Sequence, residues 1–576
     1  MTASAAASSP SELRADAMAI WRAGLAAVDS ALLVRNVVRR NGDSLSICGH
    51  EFDLSRAGRI CVVGGGKAGA GMAAGLEQAL GSDVVSRKVA GWLNVPSNCV
   101  APRQAIHLHP GRPAGINEPT AEGVAGAERM LQMVAELQAD DLCLVLLSGG
   151  ASALLPAPVE GVSLADKQAV TRLLSRGGAT IQELNCVRKQ LSRLKGGRLA
   201  QACRAGTLIA LIISDIVGDP LDVIGSGPTV TDASTPAEAL AILRRFDPEF
   251  AHTPPNVIEH LRRSASKPAA EVTEVEQPLQ VFNHVVGNNR IALEAAAETA
   301  RQLGYDLSGV ESNVAGVAAD VGRTLAARCR TLQADGRGGK RCVLSGGEPV
   351  VKVEPSVRPQ KGGRNQELVL AAVQKFGPTG MPGICLLSGG TDGEDGPTDA
   401  AGAVADDALI AAARRLEVDP AEYLADHNSY EFFQRTGGLL ITGPTHTNVM
   451  DVRVGLIVSP SMQDSNMSSP RFVHHSDGAL HAIFPGVTLN ASAGQELMLS
   501  YVTFEPHAVV EAHSHPHEQA GMVVSGSARF IVGDTERVLR TGDMYFIPGG
   551  VTHRVVALDE GCVALDVFHP VRQDYL

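Results

Sequence analysis

Over residues 11–245, short runs of consecutive apolar residues alternate with longer stretches whose apolar positions recur every three or four residues. The runs read as buried strands and the spaced pattern as amphipathic helices. Strands are predicted at 60–63, 142–147 and 208–213. Helices are predicted from Ser11 onward (apolar Leu13, Met18, Ile20, Leu25 and Val28), at 68–80, at 120–137, and from Ser163 to about Lys195. Ser163 and Asp166 have capping-box spacing, with Asp in place of the usual Glu or Gln. Such alternation predicts a parallel sheet covered by helices. Residues 253–277, rich in Pro, Glu and Lys, read as including an exposed connection.

A second alternating unit follows from about residue 280 to 460: helix 290–303, strand 341–344, helix 365–376, strand 384–387 and helix 405–416. Ser, Met, Pro and Asn then crowd into a linker-like stretch near 459–477. Beyond it, alternating segments at 497–504, 520–524, 528–532, 544–547 and 563–568 predict an all-β module. The division expected is 11–250, 280–458, a linker at 459–480, and 481–576.

The strands end in an unusual way. Ser148-Gly149-Gly150, Ser345-Gly346-Gly347 and Ser388-Gly389-Gly390 each follow an apolar run, and Gly64-Gly65-Gly66-Lys67 follows residues 60–63. Turns without side chains on one sheet edge would present bare N–H groups to an anion. A small-molecule substrate rich in phosphate or carboxylate is expected.

Bulk properties narrow the classes. A chain of 576 residues is too long for one core. A net charge of −12 with no basic stripe argues against nucleic acid, and 4% aromatic residues argue against base-stacking platforms. The ten cysteines include no Cys-x-x-Cys and read as buried thiols of a reducing compartment. With no cationic apolar leader and no apolar run of membrane-spanning length, the chain reads as cytoplasmic, without a membrane partner.

Gly64-Gly65-Gly66-Lys67-Ala68-Gly69 matches G-x-G-x-x-G between a strand and a helix. A dinucleotide site would also need an acid ending the next strand, but residues 84–92 hold none. Cys61 and Ala68 rule out a phosphate-binding P-loop of the Walker type. Lys67 at a helix N-terminus suits instead a clamp for a carboxylate or a moving phosphoryl group.

Eight motifs in order then resemble one family. They are Gly64-Gly65-Gly66-Lys67, Ser148-Gly149-Gly150-Ala151-Ser152, Val187-Arg188-Lys189-Gln190-Leu191-Ser192 with Lys195-Gly196-Gly197, and Ser214-Asp215. Gly225-Ser226-Gly227-Pro228, Ser345-Gly346-Gly347-Glu348, Gly362-Gly363-Arg364-Asn365-Gln366-Glu367 and Thr391-Asp392-Gly393-Glu394-Asp395 complete the set. Residues 11–457 resemble class II glycerate 2-kinases, which end in the module named for its MOFRL motif. The resemblance implies two Rossmann-like α/β lobes around a cleft, and transfer of the γ-phosphoryl group of ATP to the 2-hydroxyl of D-glycerate with Mg²⁺. Members are often labelled hydroxypyruvate reductases, the NAD(P)H-dependent alternative. The resemblance assigns Lys67 and Arg364, one from each lobe, to the substrate carboxylate and the transferring group. Asp215 is expected to coordinate Mg²⁺ or accept the hydroxyl proton.

Gly64, Gly65, Gly66, Ser148, Gly149, Gly150, Lys195, Glu348, Asn365, Ser388 and Gly389 are expected to bind substrate or nucleotide, as are Asp392, Asp395 and Asp399. The three aspartates lack the closing Glu of a calcium loop and read as a turn near nucleotide and metal. Two departures bear on the substrate: Gln190 stands where the family carries His, and His446 where it carries Gly. If that glycine needs positive φ, His446 strains the turn or reshapes the pocket. A homodimer is compatible with the resemblance.

The C-terminal module resembles a cupin, a double-stranded β-helix or jelly-roll. His513 and His515 share a strand face by period two, Gln519 replaces the motif's Glu, and Gly526 falls at its closing glycine. Gly542, Pro548, Gly550 and His553 form the second motif, with Ala557 in place of Asn and His507 in place of the first glycine. His513, His515, Gln519 and His553 make a neutral ligand set for a divalent transition metal such as Mn, Fe, Ni or Zn.

Overall fold

The computed structural model describes residues 10–116, 118–266, 279–335, 337–353, 360–459, 473–474, 478–494 and 496–575. The chain divides into two compact units, Met1–Ser459 and Pro460–Leu576. Most of the stretch read as a linker lies outside the described residues.

A small antiparallel sheet, β1 (Val38–Asn41), β2 (Ser44–Ile47) and β3 (His50–Asp53), opens the first unit. The strands β4 (Ile60–Gly65), β5 (Val89–Pro96), β6 (Ile106–Arg112), β7 (Leu142–Leu147), β8 (Thr207–Ile213) and β9 (Gln280–Gly287) form an all-parallel sheet. Its order, β6-β5-β4-β7-β8-β9, reverses direction between β4 and β7. Both central strands are buried along their whole length, as expected where helices cover both faces. Ligands of such sheets bind beyond the strand C-termini at the reversal, here at Lys67 and Ser148.

The second sheet comprises β10 (Asp306–Glu311), β11 (Gly339–Gly347), β12 (Ile384–Gly390), β13 (Gly402–Asp406), β14 (Leu439–Leu440) and β15 (Asp451–Ser459). Its order is β10-β11-β15-β12-β13-β14, and only β10 and β11 pair in parallel. The lobe is therefore α/β but not Rossmann-like in its pairing. A loop joins β12 to β13 with no crossover helix, so β13 returns antiparallel. Strand β15 inserts between β11 and β12, and Asp451 at its start faces both Gly347 and Gly390.

Two boundaries differ from expectation. Residues 280–287 close the first sheet as β9 instead of opening the second lobe, because their ladder partner is β8. The helix Pro10–Ala27 packs mainly on the helix Asn289–Gln302 and on β12 and β15 of the second sheet. Its buried Trp21 donates Nε1–H to the Gly389 carbonyl at 3.3 Å, and Arg14 pairs with Asp406 at 2.6 Å. Within 253–277 a helix, Pro255–Ala265, occupies part of the expected connection, and 267–278 lie outside the described residues. The capping box at Ser163 and Asp166 is formed, at the start of the helix Leu164–Arg176.

The second unit is one antiparallel system of β16 (Ala479–Phe484), β17 (Val487–Ala493), β18 (Met498–Phe504), β19 (Val509–His513), β20 (Glu518–Val532), β21 (Thr535–Arg540), β22 (Met544–Ile547) and β23 (His553–His569). Residues 520–524 and 528–532 belong to one strand, bent by bulges around Gly526 at φ 74°. Its core is the inward face of these strands, including Leu489, Met498, Val523, Phe530, Ile547 and Phe568.

Candidate active site

Lys67 leaves the end of β4 at the sheet reversal, and Arg364 opens the helix Arg364–Phe376 that leads to β12. Both side chains line one cavity of about 250 Å³ together with Arg112, Asp215, Glu348, Asp392 and Glu394. The two cations that the sequence placed in different lobes thus face a common space.

Each cation is already paired. Lys67 Nζ donates to Asp392 Oδ2 at 2.8 Å, with Glu394 at 3.9 Å. Burial works against its charge, but these carboxylates outweigh it and hold its pKa above the usual lysine value. Arg364 forms a two-pronged bond to Asp451 at 2.8 and 3.0 Å, and its Nη1 meets Glu348 Oε1 at 2.9 Å. Asp451, fully buried, was not singled out from sequence; a lone acid leading into an apolar strand opposite two Ser-Gly-Gly ends was its signal.

Arg112, also unforeseen, differs. It ends β6, is 4% exposed, and forms no ion pair among the described residues. Its guanidinium bonds only the Ile116 carbonyl, and its buried Nε has no partner.

Asp215 follows β8 and accepts from Asn448 Nδ2 at 3.2 Å. Burial, with Glu348 adding repulsion, pushes its pKa up to about 6. Glu348 is raised too, chiefly by burial. His446 lines the same cavity at φ 57°, so the backbone does demand positive φ there and an imidazole occupies a wall where a glycine would leave room. Gln190 lies elsewhere: it is buried and donates to Asp232 at 3.0 Å and to the Ser234 carbonyl at 2.8 Å.

A second cavity of about 430 Å³ shares Gly150, Asp215 and Glu348 with the first. Ser148 and Lys195 line it as well. Gly149 lies behind the shared wall, where a Cβ would collide with Asp215 and Asn448.

Several expected ligand groups do other work. The N–H groups of Gly66, Lys67 and Gly69 bond the carbonyls of Asn94, Gly149 and Gly66, and that of Ala68 bonds Ser148 Oγ, so this turn offers no bare anion cradle. Gly64, Gly65 and Gly66 are glycines because a Cβ would strike Leu146, Asn94 and Ser148 of the flanking chain. Gly346, Gly347, Gly389 and Gly390 lie within strands, not in open turns. Ser388 donates to Asn365, and Asn365 and Gln366 both bond Asp395, which is buried under the helix start. Asp399 bonds Tyr430 away from the cavity. Asn365, Ser388, Gly389, Asp395 and Asp399 therefore support the cleft without lining it.

In the cupin, one nitrogen each of His513, His515 and His553 lies within 4.8 Å of the others. His513 ends β19 and His515 sits in the following loop, not on the strand as expected. All three Nδ1 atoms are held by backbone carbonyls: Glu511 at 2.9 Å, His517 at 3.0 Å and Val551 at 3.0 Å. Donation there leaves three Nε2 lone pairs converging. Gln519 Oε1 faces His515 Nε2 at 3.2 Å, while its amide bonds Asp566, which fixes the NH₂ end on the carboxylate. Four neutral acceptors pointing at one another fit a divalent metal ion.

This two-lobed α/β scaffold, with paired cations and carboxylates over a sheet reversal, has the makings of a group-transfer enzyme for anions. Family models match in the same order: the domain of unknown function DUF4147 at 16–262, the MOFRL family at 341–451 and a cupin domain at 500–568. Glycerate kinase of Danio rerio is 37% identical over 79% of this chain and 99% of its own. Glycerate 2-kinase of Pyrococcus horikoshii is 35% identical over 75% of this chain and 94% of its own. The crystal structure of glycerate kinase from Thermotoga maritima superposes with TM-score 0.65 at 32% identity, over 78% of this chain and 100% of that one. The chain belongs to the glycerate kinase family and carries a cupin domain.

Proposed function

We propose that the first unit transfers the γ-phosphoryl group of ATP to the 2-hydroxyl of D-glycerate, and that the cupin holds a divalent transition metal. The observation that carries the kinase reading is the common cavity of Lys67, Arg364 and Asp215, built from both sheets.

Lys67 and Arg364, held by Asp392 and Asp451, sit ready to steady charge on the transferring group. Arg112, with no acid partner, is the cation free to take the substrate carboxylate. Asp215 takes the proton of the substrate hydroxyl as its oxygen bonds the γ-phosphorus and the bond to the ADP oxygen breaks. A pKa near 6 keeps this carboxylate ionised at neutral pH yet basic enough to share that proton.

The family implies Mg²⁺, and the donor set fits a hard cation. Asp215 and Glu348 are carboxylates on one wall, each disfavoured as an anion by burial and by the other acids around it. When bound, Mg²⁺ would supply charge neutralisation on the phosphate oxygens, with Glu348 holding it and Asp215 left uncoordinated as the proton acceptor. In the cupin, His513, His515, His553 and Gln519 would hold Mn, Fe, Ni or Zn. The eight buried thiols act as small core residues, in keeping with a cytoplasmic setting.

The test is ATP with D-glycerate, with product identification by NMR. 2-Phosphoglycerate is expected. NADH oxidation by hydroxypyruvate without ATP turnover would replace this reading with a reductase.

A further inference from the structure

The second cavity, which Glu118, Asp215 and Glu348 also line, presents cations that form no ion pair among the described residues. Lys195 is 2% exposed, and its Nζ bonds only neutral oxygens: the Ser152 carbonyl at 2.9 Å, Ser152 Oγ at 3.2 Å and the Gly225 carbonyl at 3.3 Å. Lys167 is 8% exposed and bonds the Leu191 carbonyl at 3.0 Å. Arg188, half-buried, forms no hydrogen bond or ion pair among the described residues. Burial, reinforced by the neighbouring Arg188, lowers the Lys167 pKa to about 7 and that of Lys195 well below the usual lysine value, so an anion seated among these groups would restore their charge. A fold that gathers three of them around one cavity is complementary to a polyanion.

We infer that this cavity is a polyphosphate site, in which Lys167, Arg188 and Lys195 seat the phosphate tail of the nucleotide donor. The inference rests on the kinase reading and assigns the donor's place within it. The volume, about 430 Å³ against about 250 Å³, assigns the larger ligand here and leaves the smaller cavity to a three-carbon acid. Ile181, Ile216 and Val223 add an apolar wall of the kind a nucleoside needs. Gly150, at φ 81°, lies on the wall shared by both cavities, and a Cβ there would come within 3.3 Å of Arg112 and 3.6 Å of Lys67. That bare wall, beside Asp215 and Glu348, is the passage by which a terminal phosphoryl group reaches the acceptor.

The experiment is titration calorimetry of the full chain with inorganic tripolyphosphate and with MgADP, alongside KM values for ATP and glycerate. Lys167→Met and Arg188→Gln are expected to weaken tripolyphosphate and MgADP at least about tenfold and to raise the ATP KM, with glycerate KM within about twofold. Without ligand, Lys167→Met is expected to match or exceed the wild-type Tm, since it removes an uncompensated buried charge. Arg172→Ala, exposed at the same cavity, serves if the buried variants do not fold; about two- to threefold weaker tripolyphosphate binding is expected. Unchanged tripolyphosphate binding in the variants overturns the inference, as does a rise in glycerate KM in place of ATP KM. Wild-type protein that binds tripolyphosphate but phosphorylates nothing would sink the kinase reading and leave the polyphosphate site standing.

Discussion

In the kinase cleft, Lys67 and Arg364 meet Asp392, Asp451 and Glu348 at 2.8 to 2.9 Å. In the cupin, three imidazoles converge with every Nδ1 held by a backbone carbonyl and no carboxylate among them. The first arrangement keeps full charges oriented while burial penalises them, which suits charge that moves during a reaction. The second keeps its donors neutral and their lone pairs aimed at one point, which suits a resident cation. On the proposed function, the same chain prepares one site for a travelling anion and another for a stationary metal, through opposite choices of partner for its basic groups.

Removing the oriented charges carries the largest expected effect. Lys67→Ala and Arg364→Ala are each expected to lower kcat about 10³-fold, close to 4 kcal/mol, in a coupled ADP assay. Arg364→Lys should recover little, because a lysine cannot reproduce the two-pronged bond to Asp451.

Asp215→Asn is expected to lower kcat about 10²-fold and to change the pH profile. Burial pushes the wild-type carboxyl up to about 6, so kcat is expected to fall as pH drops through that region, and the variant to lose this limb. The sign for stability is opposite: burial raises this pKa above its unfolded value, so the folded state gains protons between about 4 and 6 and is destabilised as the group ionises. The variant's Tm at pH 7 should therefore exceed the wild-type value by calorimetry.

On the cupin side, His553→Ala is expected to weaken transition-metal binding by about 10- to 100-fold, read by elemental analysis after dialysis against a chelator. Glycerate phosphorylation in the same protein should not follow the metal content. If it does, the two sites are coupled and do not act separately. Arg112→Ala, which removes a cleft cation that has no ion pair among the described residues, should raise glycerate KM about tenfold with a smaller effect on kcat. The smallest effect is predicted for Gln190→His, whose position supports Asp232 and Ser234 instead of the cleft; glycerate KM should stay within about twofold.

Much of the architecture was legible because it is written in local pattern. The buried strands at 60–63, 142–147 and 208–213 and the helix starts at Ser163 and Arg364 follow from period and caps, and the convergence of His513, His515 and His553 follows from motif spacing, although His515 lies in a loop and not on the strand face that period two predicted. Positive φ at His446 was only a condition attached to the family's glycine, and the backbone shows that the condition is met.

What local pattern could not carry was which neighbour each residue would meet. Ser-Gly-Gly looked alike at three places, yet Ser148-Gly149-Gly150 is a turn at the cavities, while Gly346-Gly347 and Gly389-Gly390 are strand residues beside Asp451. Asp392, Asp395 and Asp399 share one loop, but one binds Lys67, one lies under a helix start and one faces Tyr430. Helix, strand and turn are set by interactions a few residues apart, so the sequence alone determined them. Strand order, the insertion of β15, and the gathering of Arg112, Lys167, Arg188 and Asp451 depend on contacts between residues far apart in the chain, and only the tertiary structure decided those.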